Sequence, residues 1–397
     1  MTIFGLAFRN LRGNGIRSLI IFLCVLTVVA FFVSTSLIIR GAQNSLQTGM
    51  KRLGADILVV PEGAQSKVET ALLMGKPTQV WMSADYLKKV AAIPGVGSVS
   101  PQVYLQSLYG AACCAVSEMF IVVYDPATDF TITPWLQKNL GRPLVKGEVI
   151  GGSYIFVPDG EKYIELYGYN LTLKGNLEST GTGLDQTLFL TMETAQDMAK
   201  SSLTTAISPL VIPPGEISSI MVTVKPGADI RKVTQTILLQ ITGVAPIESP
   251  SLFGEFRKQM LGLLWGFLAV SSLAWVISAV LIGLVFSMAA NERRQEMAVL
   301  RAVGATRRFV FLSLSTEAIL LAVGAGLLGI TISALGIYTF KDAIARSLGM
   351  PFLFPSLSSF ISLFSIGLAL SIGVVFVATF IPAYRISQLE PAVAMRE

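Results

Sequence analysis

Leu261 to Phe311 reads LGLLWGFLAVSSLAWVISAVLIGLVFSMAANERRQEMAVLRAVGATRRFVF. The first part, Leu261 to Ala290, carries no charge, and the remainder holds five arginines. An uncharged run of that length exceeds the roughly 20 apolar residues a helix needs to cross a bilayer core. The basic stretch behind it marks the side on which the chain is retained. Three further runs have the same character. Leu19 to Ile39 is free of charge between Arg17 and Arg40, Leu357 to Ala383 is free of charge, and Phe309 to Phe340 holds a single acid, Glu317. The whole chain agrees, since 52% of its 397 residues are hydrophobic and 14% are charged, against about 25% charged in an average soluble domain.

The expected fold is therefore an α-helical membrane protein with four transmembrane helices. A large extracytoplasmic α+β domain is inserted between helices 1 and 2. The segments are 1–18 (a cytoplasmic amphipathic start), 19–39 (helix 1), 41–260 (the external domain) and 261–290 (helix 2). They continue with 291–308 (a cytoplasmic loop), 309–340 (helix 3), 341–356 (a short external loop), 357–383 (helix 4) and 384–397 (a cytoplasmic tail). Four spans bring both termini and the 291–308 loop to one side. That side holds ten arginines against four glutamates, leaving 20 basic and 21 acidic residues elsewhere. Basic residues in short loops stay cytoplasmic, so the large domain is external and the membrane is the cytoplasmic (inner) one. The basic excess is a topology signal, and no segment reads as a nucleic-acid surface. Arg9 to Arg17 followed by an apolar run also has the outline of a signal peptide, but the run is too long for a typical h-region. Ile3, Phe4, Ala7, Phe8 and Leu11 recur at helical spacing opposite Arg9, Asn10 and Arg12, the pattern of a helix lying on a leaflet or of a frayed helical start.

Within the external domain, Ile57–Val60, Phe120–Tyr124, Tyr154–Val157, Thr187–Leu190 and Ile220–Val224 read as strands, and Ala84–Ile93 and Ile230–Ile241 as helices. Gly95-Val96 and Gly243-Val244 follow the two helices, the mark of two related strand-helix-strand halves. Thr172 to Asp185, rich in Gly, Thr and Asn, reads as a loop or hairpin tip.

The sequence contains no histidine, which excludes Ser-His-Asp and Cys-His catalysis and HExxH zinc chemistry. Three cysteines make no disulfide framework. Cys24 sits in a span as a packing residue. Adjacent Cys113 and Cys114 leave three readings open: a strained disulfide ring, two soft thiolates for a thiophilic metal together with Met119, or core cysteines. Trp81, Trp135, Trp265 and Trp275 read as core or interface anchors.

Between helices 2 and 3, Met297, Leu300 and Val303 form an apolar edge of a short helix, and Arg293, Arg294, Glu296 and Arg301 offer charge. Gly304 can end that helix and Thr306 can cap the next. Such an element can dock into a groove on a cytoplasmic partner and move both spans; an ordinary basic loop accounts for the arginines but not for this grammar. Glu317 is an intramembrane acid, which either reaches the inner interface or pairs with an arginine such as Arg307 or Arg308. Ser365, Ala369 and Gly373 in helix 4, and Ala325, Gly329 and Ser333 in helix 3, place small residues at every fourth position. Such stripes serve a dimer seam or close packing within one chain.

The ERRQEMAVLRAVGATRR stretch resembles the signature loop of FtsX-like permeases, the membrane subunits of the MacB, LolC/LolE and FtsX class of ABC transporters. LAFRNLRGNGIRSLIIFLCVL at the start resembles the opening of that class. Ile381 to Arg385 (IPAYR), with Leu389-Glu390-Pro391 and Met395-Arg396, resembles its C-terminal signature, and the layout of the spans is the same. The resemblance implies an ABC ATPase in two copies binding ATP and magnesium, a second permease copy as homodimer, and Glu292 to Arg308 as the segment resting on the ATPase, with Arg307 among its contacts. It also implies lever-like work on the external side, with an adaptor there and membrane lipid as further partners. The chain itself has no Walker A motif: GxxxxGK[ST] is approached only at Gly75-Lys76, with Thr70 in place of the first glycine and Pro77 in place of Ser or Thr. No catalytic constellation, cofactor or metal site is expected beyond the two cysteines. The leading expectation is export or extraction of an amphipathic substrate. The alternatives are a signalling module that switches an external partner without transport, and a stand-alone sensor, which would need no docking helix.

Overall fold

The computed structural model describes residues 5, 15–107, 119–157, 162–347 and 351–388. The N-terminal amphipathic stretch, Cys113, Cys114 and the tail from 389 lie outside the described residues. Among those described, four helices are long and apolar enough to cross a membrane: Gly15–Leu53, Leu261–Glu292, Arg307–Lys341 and Leu357–Ser387. The chain divides into two compact units, one containing the spans and one drawn from Gly41–Lys258 together with Asp342–Leu353.

The helices of the spanning unit are α1 (Gly15–Leu53), α7 (Gly254–Glu292), α8 (Arg294–Ala302), α9 (Arg307–Ser347) and α10 (Leu357–Ser387). All four long helices outrun their expected ends, α7 beginning at Gly254 and α10 running to Ser387. Helix α1 continues past Ile39 to Leu53, and α9 continues through the expected 341–356 loop as far as Ser347. Apolarity measures what lies in lipid, whereas backbone hydrogen bonding continues into water where no proline intervenes, and in α1 it runs on through Gly41 and Gly49.

The inward face of α1 is Ile21, Val25, Val29, Val33 and Leu37, a strict four-residue repeat, and that of α9 includes Val310, Leu314, Ala318 and Ala322. Lipid tails are as apolar as leucine, so close backbone approach replaces the hydrophobic effect as the source of cohesion. Gly329 shows how close: a Cβ there would lie 3.0 Å from the Leu26 carbonyl oxygen of α1. Ser333 Oγ donates to Ala30 O at 2.8 Å on the same helix. In α10, Pro382 lies inside the helix and cannot donate to the Ala378 carbonyl one turn back. Gly283 of α7 packs against that carbonyl, where a Cβ would stand 3.2 Å from the oxygen.

The external unit is built on a nine-stranded sheet among the described residues. In chain order the strands are β1 (Ile57–Pro61), β2 (Met82–Ser83), β3 (Val96–Ser107), β4 (Met119–Tyr124), β5 (Glu148–Gly151), β6 (Ile164–Leu166), β7 (Tyr169–Asn176), β8 (Thr187–Thr191), β9 (Glu216–Ile217), β10 (Ser219–Val224) and β11 (Val244–Glu248). The helices are α2 (Gln65–Met74), α3 (Asp85–Ala91), α4 (Thr133–Asn139), α5 (Met192–Thr205) and α6 (Ile230–Gln240). The sheet order is β11-β1-β10-β3-β4-β8-β5-β7-β6, with β2 and β9 paired separately. The first four strands are mutually antiparallel neighbours. Helices α2 and α3 lie between β1 and β3 in the chain, and α6 lies between β10 and β11. That is a pair of interlocked split β-α-β units, so the two related halves expected from the Gly-Val pairs each contribute one outer and one inner strand. Gly95 and Gly243 have φ of 92° and 83°, the left-handed turn that ends each helix before its strand. The remaining strands extend the sheet through the parallel pair β4–β8, with Phe120 opposite Thr187. Every residue of β4 and β8 is buried, as expected of central strands covered on both faces.

Two expectations are corrected. Tyr154–Val157 is not a strand: Tyr154 N donates to Asp185 O and Ile155 N to Gly152 O. The Asn176 side chain takes up the Gly152 and Ile155 carbonyls at 2.7 and 2.5 Å, closing a turn where a ladder would need them. Thr172–Asp185 is a loop only from Leu177 onward, and a largely buried one. Its first residues belong to β7, and Thr180 and Asp185 are fully buried. The Asp185 carboxylate accepts from Ser179 Oγ, Thr180 N, Thr180 Oγ1 and Gly181 N, at 2.6–2.9 Å, which ties a glycine- and threonine-rich segment into a compact knot. Phe352, also 5% exposed, locks onto it: its N–H donates to Gly181 O at 2.9 Å.

Candidate functional site

The segment between α7 and α9 carries the strongest sequence signal, and its backbone follows from its residues. Arg293 N donates to Ala289 O of α7 at 3.3 Å, while Arg293 O accepts from Met297 N of α8 at 3.0 Å. Arg293 is thus the single joint between the two helices. At the other end Ala305 N donates to Leu300 O and Gly304 N to Arg301 O, at 3.0 and 3.1 Å, the paired bonds of a Schellman motif. Gly304 makes it possible with φ of 106°. Thr306 Oγ1 then accepts from Phe309 N at 3.2 Å and caps α9. The turn chemistry expected for Gly304 and Thr306 is present.

The side chains distribute differently from the expected apolar edge. Met297 is buried in the core of the spanning unit and Leu300 packs against that core. Val303 is 84% exposed, and Val299 and Ala302 are also exposed. A nine-residue helix between two long helices must anchor one apolar side to its own bundle, so its outward apolar surface is Val299, Ala302 and Val303. Arg293 likewise turns inward, where its Nη1 meets Glu317 Oε2 at 2.9 Å with side chains 10% and 11% exposed. Glu317 therefore pairs with an arginine, but not with Arg307 or Arg308. Arg307 Nη1 donates to Gln388 Oε1 at 2.6 Å instead. Arg307 and Arg308 are the arginines nearest to Glu317 in the sequence, whereas the α7–α8 bend returns Arg293 to the third turn of α9. Glu296 is exposed, Arg294 and Arg301 are half-buried, and Arg17 of α1 forms an ion pair with Glu292.

The small-residue stripes separate into two roles. Ala325, Gly329 and Ser333 are buried or packed on α1, as described above. Ser365, Ala369 and Gly373 are exposed, and a Cβ on Gly373 would meet nothing within 4 Å. The stripe of α10 that packs within the chain is Gly367, Ser371, Val375, Thr379 and Ala383, with Gly367 against Val33 and Ser371 against Gly326. This second stripe has the same four-residue spacing in the sequence, so spacing by itself does not distinguish it from the first.

Elsewhere, no group of three or more metal-ligating side chains occurs among the described residues. Met119, considered with the two cysteines, is a buried core residue at the start of β4. Cys24 packs against the core of the spanning unit. Trp275 sets an edge on Phe32 at 6.2 Å, Trp135 lies 3.5 Å beneath the Arg52 guanidinium, Trp81 packs on the external core and Trp265 is 71% exposed.

Four apolar helices, an external α/β unit interrupting them after the first, and a short capped helix joining the second and third define a multi-pass membrane subunit of permease type. A family model described as the MacB-like periplasmic core domain matches residues 18–238, more than half of the chain, and one described as the FtsX-like permease C-terminal region matches 268–391. The chain belongs to the FtsX-like, MacB-type family of ABC transporter permeases. A curated relative, the macrolide export ATP-binding/permease protein MacB of Bdellovibrio bacteriovorus, is 26% identical over 417 aligned residues, which cover 98% of this chain. The chain spans about 60% of that relative's length. Among solved structures, the periplasmic region of MacB from Actinobacillus actinomycetemcomitans aligns with a TM-score of 0.33 and 8% identity, over 52% of this chain and 95% of that one. The extracellular domain of the noncanonic ABC-type transporter YknZ from Gram-positive bacteria aligns with a TM-score of 0.27 and 9% identity, over 49% and 99%.

Proposed function

We propose that the chain is the permease subunit of an ABC exporter in the cytoplasmic membrane, with both termini cytoplasmic, and that α8 is where a separate ATPase rests. The observation that carries this is the form of α8: a capped, glycine-terminated helix with three apolar side chains facing outward between two long helices. Two ATPase subunits binding ATP and magnesium, with a second permease copy, complete the working unit. Closure of the ATPase pair displaces α8, and α7, a single unbroken helix from Gly254 to Glu292, carries the displacement away from the cytoplasmic side. The substrate class is amphipathic. The curated relative's name, macrolide export, supports export in preference to signalling.

Purification of the tagged chain from its native membrane in mild detergent, with mass spectrometry of what accompanies it, tests this reading. A stoichiometric protein bearing a Walker A motif is the expected result. Its absence after cross-linking with trapped nucleotide would overturn the coupling role. A co-purifying cell-wall hydrolase in place of an export adaptor would move the function to signalling. Within the complex, Arg294→Glu with Arg301→Glu is expected to loosen the ATPase, as is Val299→Asp with Val303→Asp, which touches only exposed side chains. Each pair of changes should lower ATPase recovery by about tenfold or more, the loss expected when an interface core receives unpaired charge. Unchanged co-purification in both would remove α8 from the interface.

A further inference from the structure

The coupling reading needs α8 to move its neighbours, and a joint of one residue would ordinarily bend instead. Arg293 is that joint: its N–H belongs to α7 and its carbonyl to α8. The same residue sends its side chain to Glu317, buried in the third turn of α9. Ionised groups at such depth are expensive and persist when paired. The cavity beside the pair, between α1, α7 and α9, has a volume of about 20 Å³, room for one water molecule. The two charges face each other at 2.9 Å beside that space.

We infer that the Arg293–Glu317 ion pair is a positioning device that locks the α7–α8 joint to α9, so that a push on α8 displaces α7 and α9 together. The inference rests on the coupling reading above and adds to it which side chains transmit the push. Neither residue is offered to the ATPase, so losing the pair should uncouple the complex without dissolving it. Arg17–Glu292 on the neighbouring turn is more exposed, with side chains 31% and 54% accessible. Exposed pairs of that kind contribute little, which leaves the buried pair as the stiffer of these two.

The test uses the full chain co-expressed with its ATPase in a background where Cys24, Cys113 and Cys114 are replaced. A Leu261→Cys probe is placed at the far end of the α7 apolar run, where Leu261 is 46% exposed. The readout is its modification rate by a water-soluble maleimide, with and without vanadate-trapped nucleotide. In the parent, trapping is expected to change that rate by about fivefold or more, the lower range of ordinary coupling between sites. Glu317→Gln and Arg293→Gln are expected to retain the ATPase and lose most of that response. The reversed pair, Arg293→Glu with Glu317→Arg, is expected to regain it, which a merely space-filling role would not allow. An undiminished response in Glu317→Gln with ATPase bound overturns the proposal. So does a reversed pair that melts at the parent temperature and stays unresponsive, or a parent with ATPase bound that shows no response at all. Failure of the ATPase to accompany the parent counts instead against the coupling reading.

Discussion

Glu148 shows how much one side chain can be held at the surface of the external unit. Arg142 grips it with two hydrogen bonds of 2.7 and 2.9 Å, Val145 N donates to it at 3.1 Å, and Lys174 lies 3.3 Å away. The Arg142 hydrogen bonds, foremost among these contacts, lower its carboxyl to about 2. A carboxyl depressed by folding stabilises the fold above its unfolded pKa, near 4.3, and loses that contribution as pH falls through the folded value. Glu148→Gln should therefore melt below the wild type at pH 7, and the gap should close as pH falls from about 5 to about 2. A gap independent of pH in differential scanning fluorimetry would place the effect elsewhere. Gly181 is constrained mainly by backbone: its φ is 69°, and a Cβ would fall against the Phe352 carbonyl, with Ser45 Oγ also close. Gly181→Ala should cost about 1–3 kcal/mol through a strained left-handed residue and release the Phe352 segment, seen as faster amide exchange at Phe352.

At the scale of elements, the spanning helices carry their packing in four-residue repeats. Gly329→Leu drives a side chain into the α1 backbone and should lower the detergent melting temperature of the chain. Gly373→Leu meets nothing within 4 Å and should leave that temperature unchanged. If Gly373→Leu nevertheless abolishes self-association in cross-linking, the Ser365–Ala369–Gly373 stripe is the seam between copies. A lowered melting temperature for Gly373→Leu alone would contradict the packing described for α10. In the external unit the strands that were legible, ILVV, FIVVY, TLFL and IMVTV, are wholly or largely buried and need no alternation. Strands β3 and β7 are not legible by that rule, because they mix polar and apolar residues. Tyr154–Val157 shows the converse: apolar and short, it looks like a strand until the Asn176 amide takes the carbonyls that a ladder would use.

For the molecule as a whole, topology is the property most open to direct test. A cysteine at Leu239, 82% exposed on α6, should react with a membrane-impermeant maleimide added to spheroplasts, and one at Val303 should react only after the membrane is opened. The opposite pattern would invert the orientation. The four spans and the expectation of an outer and an inner face were legible because hydropathy and arginine placement act through bulk solvent, and need no knowledge of what touches what; the family was legible in the resemblance of Glu292 to Arg308 and of the two ends to its signature stretches.

Composition and periodicity were enough to determine that this chain is a four-span membrane protein with a large inserted domain, and that Gly304 and Thr306 end one helix and begin the next, since bilayer thickness and backbone capping act over a few residues of local sequence. Three matters were left to the tertiary structure: that Arg293 rather than Arg307 or Arg308 meets Glu317, that Met297 and Leu300 face inward, and that Gly367 and Ser371 rather than Ala369 and Gly373 pack within the chain. Each depends on the rotation of one helix against another. The two stripes of α10 are two residues apart in sequence and so about 200° apart around a helix of 3.6 residues per turn, and only contact with a second helix selects between them.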